Sequence, residues 1–269
     1  MDHGKLRVLM LLTVFYAPIF SGLVDSWTID PFYSHGFLVP VISAYLAWRL
    51  RGKIAASDRD FLPGATVMAA GLGAYAVGLL YKSLFLSAAS FLLVLSGYVV
   101  AFHGRKTYRK LLFPIGFLVF MIPLPYVDYI STDLQGITAS AAAGLLNAAG
   151  FAVEAVGSQL QVSDMAFVIG EPCSGLRTML ALFALAALYA YLVEGGYGRK
   201  VLLFAFALPI AIAANVARVV SIIVVAAFYG QDAAMSYFHG FSGFLVYGLS
   251  FIMLIIVGRC LGCKGLRNI

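Results

Sequence analysis

The stretch VLLFAFALPIAIAANVARVVSIIVVAAF, residues 201–228, is apolar from end to end except for Asn215, Ser221 and a single charge, Arg218. About 20 apolar residues suffice to cross the hydrocarbon core of a bilayer as a helix, the form in which a backbone in lipid satisfies its own N–H and C=O groups. The run is long enough with residues to spare, and it fixes the class as a helical integral membrane protein. An arginine at the centre of such a helix costs about 2.5–3.5 kcal/mol to insert, so Arg218 is expected to face a partner or a polar cavity rather than lipid. Asn215, three residues earlier on the same helical face, can accept a hydrogen bond from it.

The rest of the chain agrees with that class. Of its 269 residues 62% are hydrophobic and 11% charged, far from the composition of a soluble domain. Apolar runs that span, or nearly span, a bilayer fall at 6–24, 33–50, 64–81, 84–102, 111–126, 175–193, 201–228 and 241–261. The expectation is therefore an all-α protein of about eight transmembrane helices in a single polytopic domain, 1–269. The net charge of +6 does not point to nucleic acid, because the basic residues sit in short clusters between apolar runs, as membrane topology requires. The first run follows Lys5 and Arg7 without a small-x-small cleavage site, and it reads as the first membrane helix rather than a signal peptide.

A ninth segment, 134–157, is rich in Ala and Gly and carries Gln135, Asn147 and Glu154. If it does not cross, one side of the membrane collects Arg49, Arg51, Lys53, Arg105, Lys106, Arg109, Lys110, Arg199, Lys200 and Arg259, as cytoplasmic loops do. The segment is thus expected to lie at the outer interface or to be re-entrant. Its small side chains would let another helix approach closely. Both termini are then cytoplasmic, and the connection 127–172 lies outside.

This topology sorts the reactive side chains. Cys173, in Glu171-Pro172-Cys173-Ser174-Gly175-Leu176-Arg177, falls at the outer surface and at the start of an apolar helix. Unpaired N–H groups and the positive end of the helix dipole there stabilise a thiolate, and Arg177, one turn on, adds positive charge. A lone cysteine in a membrane protein is ordinarily a small apolar packing residue. A thiol facing an oxidising compartment with no internal partner is a liability unless used. Cys260 and Cys263 end the last helix on the opposite side; they have metal-ligand spacing but no second pair, and they read as free thiols. No metal or cofactor is expected. His239 precedes the last helix on the outer side and can take a proton from a thiol near pH 7, with His35 as a rival base on the same side.

The ordered set Cys173-Ser174-Gly175-Leu176-Arg177, Asn215-Val216-Ala217-Arg218 and His239-Gly240 resembles the exosortase and archaeosortase family of polytopic membrane cysteine transpeptidases. Tyr33-Ser34-His35-Gly36-Phe37-Leu38 and Phe117-Leu118-Val119-Phe120-Met121-Ile122-Pro123-Leu124-Pro125 also look like exosortase segments. The resemblance implies an eight-helix enzyme of the cytoplasmic (inner) membrane. Its substrates would be exported proteins bearing a C-terminal sorting signal of the PEP-CTERM type: a Pro-Glu-Pro-like motif, a membrane helix and a basic tail. It implies catalytic roles for Cys173, Arg218 and His239, with Ser174, Arg177, Asn215 and His35 in support. Membrane lipid, a lipid or amine acceptor, and no nucleic acid are the partners expected. Pro172 departs from the small residue usual before the cysteine.

On this reading Cys173 forms a thioester with the substrate, His239 moves the proton and Arg218 faces the oxyanion. Two other readings compete. Gly240-Phe241-Ser242-Gly243 fits the Gly-x-Ser-Gly pattern of a rhomboid-like serine protease, but no histidine follows Ser242. A transporter or export-assembly scaffold would explain a buried arginine and leave Cys173 without a role.

Overall fold

Pro123 and Pro125 lie where the chain's contacts divide into two units, Met1–Pro125 and Tyr126–Asn268. Two prolines so close together deny the backbone both a helical φ/ψ run and two donors, so a helix cannot pass through this point. The structure is a computed structural model describing residues 3–54, 60–162, 165–169, 175–234, 239–263 and 265–267.

In the first unit, helix α1 (His3–Phe15) and helix α2 (Ala17–Ile29) meet at a 54° bend. Pro18 in the first turn of α2 has no N–H to continue the ladder, and the chain turns at Tyr16. Tyr16 is fully buried at the bend; its hydroxyl pairs with Ser90 Oγ at 2.8 Å, and its ring packs against Tyr75 and Phe91. Helix α2 buries Ile19, Leu23 and Trp27, a stripe at helical spacing, and Asp30 accepts from the Phe32 N–H to start a 3₁₀ turn over Pro31–Phe37. Helix α3 (Leu38–Leu50) follows.

Helix α4 (Phe61–Leu80) and helix α5 (Leu84–His103) form an antiparallel hairpin, turned at Lys82 in the left-handed region and capped by Ser83, whose Oγ accepts from Leu86 N–H. Gly64, Gly71 and Gly78 stand seven residues apart on α4 and face Ala101, Val94 and Ser87, seven residues apart on α5. A Cβ at Gly71 or Gly78 would come within 2.9 or 2.8 Å of the backbone nitrogen of Val94 or Ser87. The glycines therefore let the two backbones touch, which is how helices associate where no hydrophobic effect separates them from lipid. Helix α6 (Arg105–Phe117) packs beside α5 and α3 and gives way to a 3₁₀ turn at Leu118–Met121.

The second unit opens with helix α7 (Val127–Ala148). The segment 134–157 therefore divides: its first part is α7, and its second begins a β-meander of β1 (Val153–Val156), β2 (Gln159–Val162) and β3 (Met165–Val168), antiparallel in the order β1-β2-β3. The register pairs Val153 with Val162 and Leu160 with Phe167. The all-α membrane class fits a chain this predominantly helical, and the small sheet is a local addition to it. Its physical cause is legible in β2, where Leu160 and Val162 are buried while Gln159 and Gln161 are exposed, the period-two pattern of a half-buried strand. Asn147 ties the helix to the sheet, donating to Val153 O and accepting from Val153 N–H, both at 2.9 Å.

Helix α8 (Leu176–Leu192), helix α9 (Tyr197–Ala205), helix α10 (Ala207–Tyr229), the single turn α11 (Gln231–Ala233) and helix α12 (His239–Cys260) complete the unit. Ala139, Ala142, Ala143 and Leu146 of α7 pack with Leu160, Val162 and Phe167 of the sheet and with Val216, Val219, Ile222 and Ile223 of α10. The small residues of α7 thus admit α10 of this same chain, so Ala142 is buried and not open to a visiting helix. At the other end of α8 the chain's tail folds back, with Val193 bridging Leu266; Cys263 is buried there and Cys260 exposed.

Among the described residues four helices are long and apolar enough to cross a membrane: α4, α5, the end-to-end pair α9–α10, and α12. The bent pair α1–α2 makes a fifth if it counts as one span. The expected eight is not reached among the described residues. Run 33–50 is shortened by the 3₁₀ turn before α3, run 111–126 by Pro114 and the break after Phe117, and α8 is a shorter apolar helix of 17 residues. The chain is a multi-pass membrane protein whose short helices accompany its long ones.

Candidate functional site

Two polar contacts in the second unit, one part-buried and one buried, decide where its chemistry-bearing residues come together. The first joins α10 to α12: Arg218 Nε donates to Ser242 Oγ at 3.0 Å. Arg218 is half-buried and Ser242 is 2% exposed. The sequence leads one to expect a partner for this arginine, and the structure supplies a serine one helical turn beyond His239. The second joins α7 to α10: Asn215 Nδ2 donates to Thr138 Oγ1 at 3.3 Å, with Asn215 1% exposed. Asn215 and Arg218 share a face of α10, and through these two bonds they reach different neighbouring helices.

Asn215 also touches the start of α8. Gly175 is the N-cap of that helix with φ of 80°, and a Cβ there would lie 2.7 Å from Asn215 Cγ. Both the backbone angle and the space demand glycine. The first turn of α8 begins at Leu176, and Cys173 stands two residues before its N-cap in the sequence. Cys173 and Ser174, with Glu171 and Pro172, lie outside the described residues. So does the side chain of His239, whose backbone opens α12.

Arg177 is exposed on the first turn of α8, a helix that packs against α12. A crevice lined by Leu134, Thr138, Gly175, Met179, Ala211 and Asn215 runs past the same junction. The start of α8, the middle of α10 and the start of α12 are thereby brought together.

His35 belongs to the first unit, where its Nε2 pairs with the Phe120 carbonyl at 3.1 Å. Its neighbours are held in the same way: Tyr33 Oη accepts from Leu124 N–H at 2.8 Å, and Trp27 Nε1 donates to Met121 O at 2.8 Å. Gly36 lies flat against the Trp27 ring, leaving no room for a Cβ. The two upstream motifs are one knot, in which side chains from 27–36 satisfy backbone groups of the irregular stretch 120–124.

Sequence reasoning weighed Ser242 only as a serine-protease nucleophile and passed over Thr138. Ser242 was legible as the i+3 neighbour of His239, and Thr138 only once α7 and α10 were known to pack.

The family model described as transmembrane exosortase matches residues 27–256 of the chain. The chain belongs to the transmembrane exosortase family. The match opens at Trp27, the first member of the knot, and closes within α12, so it takes in both exosortase motifs of the first unit and every candidate residue of the second. Neither a curated protein nor a solved structure matches it.

Proposed function

We propose that this exosortase is a membrane-embedded cysteine peptidase or transpeptidase that removes a C-terminal sorting signal of the PEP-CTERM type from exported proteins. The observation that carries the reading is the pair of contacts Arg218–Ser242 and Gly175–Asn215, which draws together the helix starts that follow Cys173 and hold His239.

The chemistry follows from residue type. His239 takes the Cys173 proton, and the thiolate attacks the scissile carbonyl, forming a C–S bond while the π electrons move to oxygen. Arg218, a fixed cation in a half-buried site, faces that oxyanion; donors of this kind are worth about 3–4 kcal/mol. Collapse breaks the C–N bond, and His239 returns the proton to the leaving amine. The thioester then passes to a lipid or amine acceptor, or to water, which regenerates the thiol. Ser174 and Arg177 border the nucleophile in sequence, and Arg177 adds positive charge that favours the thiolate.

The distribution of basic residues supports an orientation with this site on the outer side of the cytoplasmic membrane, where exported substrates arrive. Ser242 as a rhomboid-type nucleophile is disfavoured, because its hydroxyl accepts from a guanidinium and no histidine follows it in the sequence.

The deciding experiment expresses the full chain with a tagged substrate carrying a Pro-Glu-Pro-like motif, a membrane helix and a basic tail. Release of the tail by the wild type, abolished in Cys173→Ala at equal membrane level, is expected. Equal release by Cys173→Ala overturns the cysteine mechanism. In intact cells an impermeant maleimide should label Cys173 and spare Cys260; the reverse pattern overturns the orientation.

A further inference from the structure

The proposed reaction needs a guanidinium held in one plane, and an arginine side chain does not supply that by itself. Four rotatable bonds separate the α10 backbone from the Nε atom, and each fixed orientation has an entropic cost. One bond that orients the group is made at its innermost nitrogen. Nε lies on the axis about which the planar head swings, so a partner at 3.0 Å on Nε sets the plane of the whole fork.

That partner has three properties suited to the task. Ser242 is 2% exposed, so water does not compete for its oxygen. It is a hydroxyl, so it orients the cation without cancelling the charge that an oxyanion would meet, as a carboxylate would. And it stands one turn beyond His239 on the same helix, so the element that positions the arginine also carries the proposed base.

We propose that Ser242 is a positioning residue of this exosortase, its buried hydroxyl fixing the plane of the Arg218 guanidinium in register with His239 on α12. The inference rests on the cysteine-peptidase reading for its reaction, but the bond itself can be tested without it.

The test uses the full-length protein in lipid nanodiscs with the tagged substrate. Ser242→Ala should lower kcat by about 10- to 100-fold, the range of a buried hydrogen bond to a charged group, with KM within about twofold. Ser242→Thr, which keeps the hydroxyl, should stay within about threefold of wild type, and Ser242→Cys, a weaker acceptor of similar shape, should fall between. In single turnovers, adding Ser242→Ala to Arg218→Ala should cost less than about twofold more, since the two act as one unit. A full additional loss in that background would show that the serine acts elsewhere and overturn the proposal, as would wild-type kcat in Ser242→Ala.

A second readout is independent of turnover. The ¹⁵Nε–H resonance of Arg218, assigned by its disappearance in Arg218→Lys, should exchange slowly with water in wild type, Ser242→Thr and Cys173→Ala, and faster in Ser242→Ala. Rapid exchange in the wild type would overturn the inference. Cleavage persisting in Cys173→Ala would instead overturn the peptidase reading and leave this measurement to decide the bond.

Discussion

The two units spend their polar side chains differently. In the first, most of the buried polar bonds run from a side chain to the backbone: Trp27 to Met121 O, His35 to Phe120 O, Ser43 to Pro114 O, and Leu124 N–H to Tyr33. Each repairs a place where proline or a 3₁₀ turn has stripped the backbone of its own partner. In the second, the bonds that hold α7, α10 and α12 together run between side chains, Asn215 to Thr138 and Arg218 to Ser242. The contrast separates scaffold from chemistry. A side chain that mends the backbone can be exchanged for any group of equal bonding capacity, whereas a hydroxyl that accepts from a guanidinium orients the cation without itself opposing its charge.

The sharpest way to break this comparison is at Arg218. Arg218→Lys keeps the charge but not the planar fork, and it should slow processing by about 10²–10³-fold at unchanged membrane level. Near-normal cleavage by a well-expressed lysine variant would make the arginine a structural charge and erase the contrast.

Gly71→Ala should act on the other side of it. The added Cβ would meet Val94 Cγ2 at 2.7 Å and its backbone nitrogen at 2.9 Å, an overpacking worth about 1–3 kcal/mol. Thermal unfolding in detergent should fall while turnover per folded molecule holds. A turnover loss matching that of Arg218→Lys would mean that the α4–α5 hairpin does more than support.

Asn147→Ala removes both bonds to Val153 and should loosen the sheet by about 1–2 kcal/mol, seen as faster hydrogen exchange in β1 with α10 unaffected. Equal protection in variant and wild type would show that apolar packing alone seats the sheet.

The smallest effect is expected at His35. His35→Gln keeps a donor for Phe120 O and should change processing less than about threefold, against a loss of at least about 10²-fold for His239→Ala. The opposite ranking would make His35 the base.

Much of this was readable beforehand, for physical reasons that differ by residue. The span of α10 and the need of Arg218 for a partner follow from the cost of a charge in lipid, which any sequence displays. That the partner is Ser242, rather than Asn215 three residues away, depends on how α10 meets α12, and no local pattern states that. The β-meander was in view as alternation around Gly157-Ser158. It was obscured because the Ala-rich stretch of α7 runs into it without a charged break. The glycine triad of α4 is evident only against Ser87, Val94 and Ala101 of α5, since a seven-residue spacing acquires meaning from its partner helix. Of the eight expected spans, four, or five with the bent pair, have the length and apolar content among the described residues, because the expectation took apolar length without its helix breaks.

The Arg218–Ser242 bond also has a consequence for biosynthesis. Ribosomes deliver α10 before α12, so the arginine reaches the insertion machinery while its serine has yet to be translated. During that interval the many Ala, Ile and Val residues around it offset a cost of about 2.5–3.5 kcal/mol. Assembly of this protein therefore has an order set by one bond: α10 carries its arginine in first, and the arrival of α12 completes the contact that orients the guanidinium.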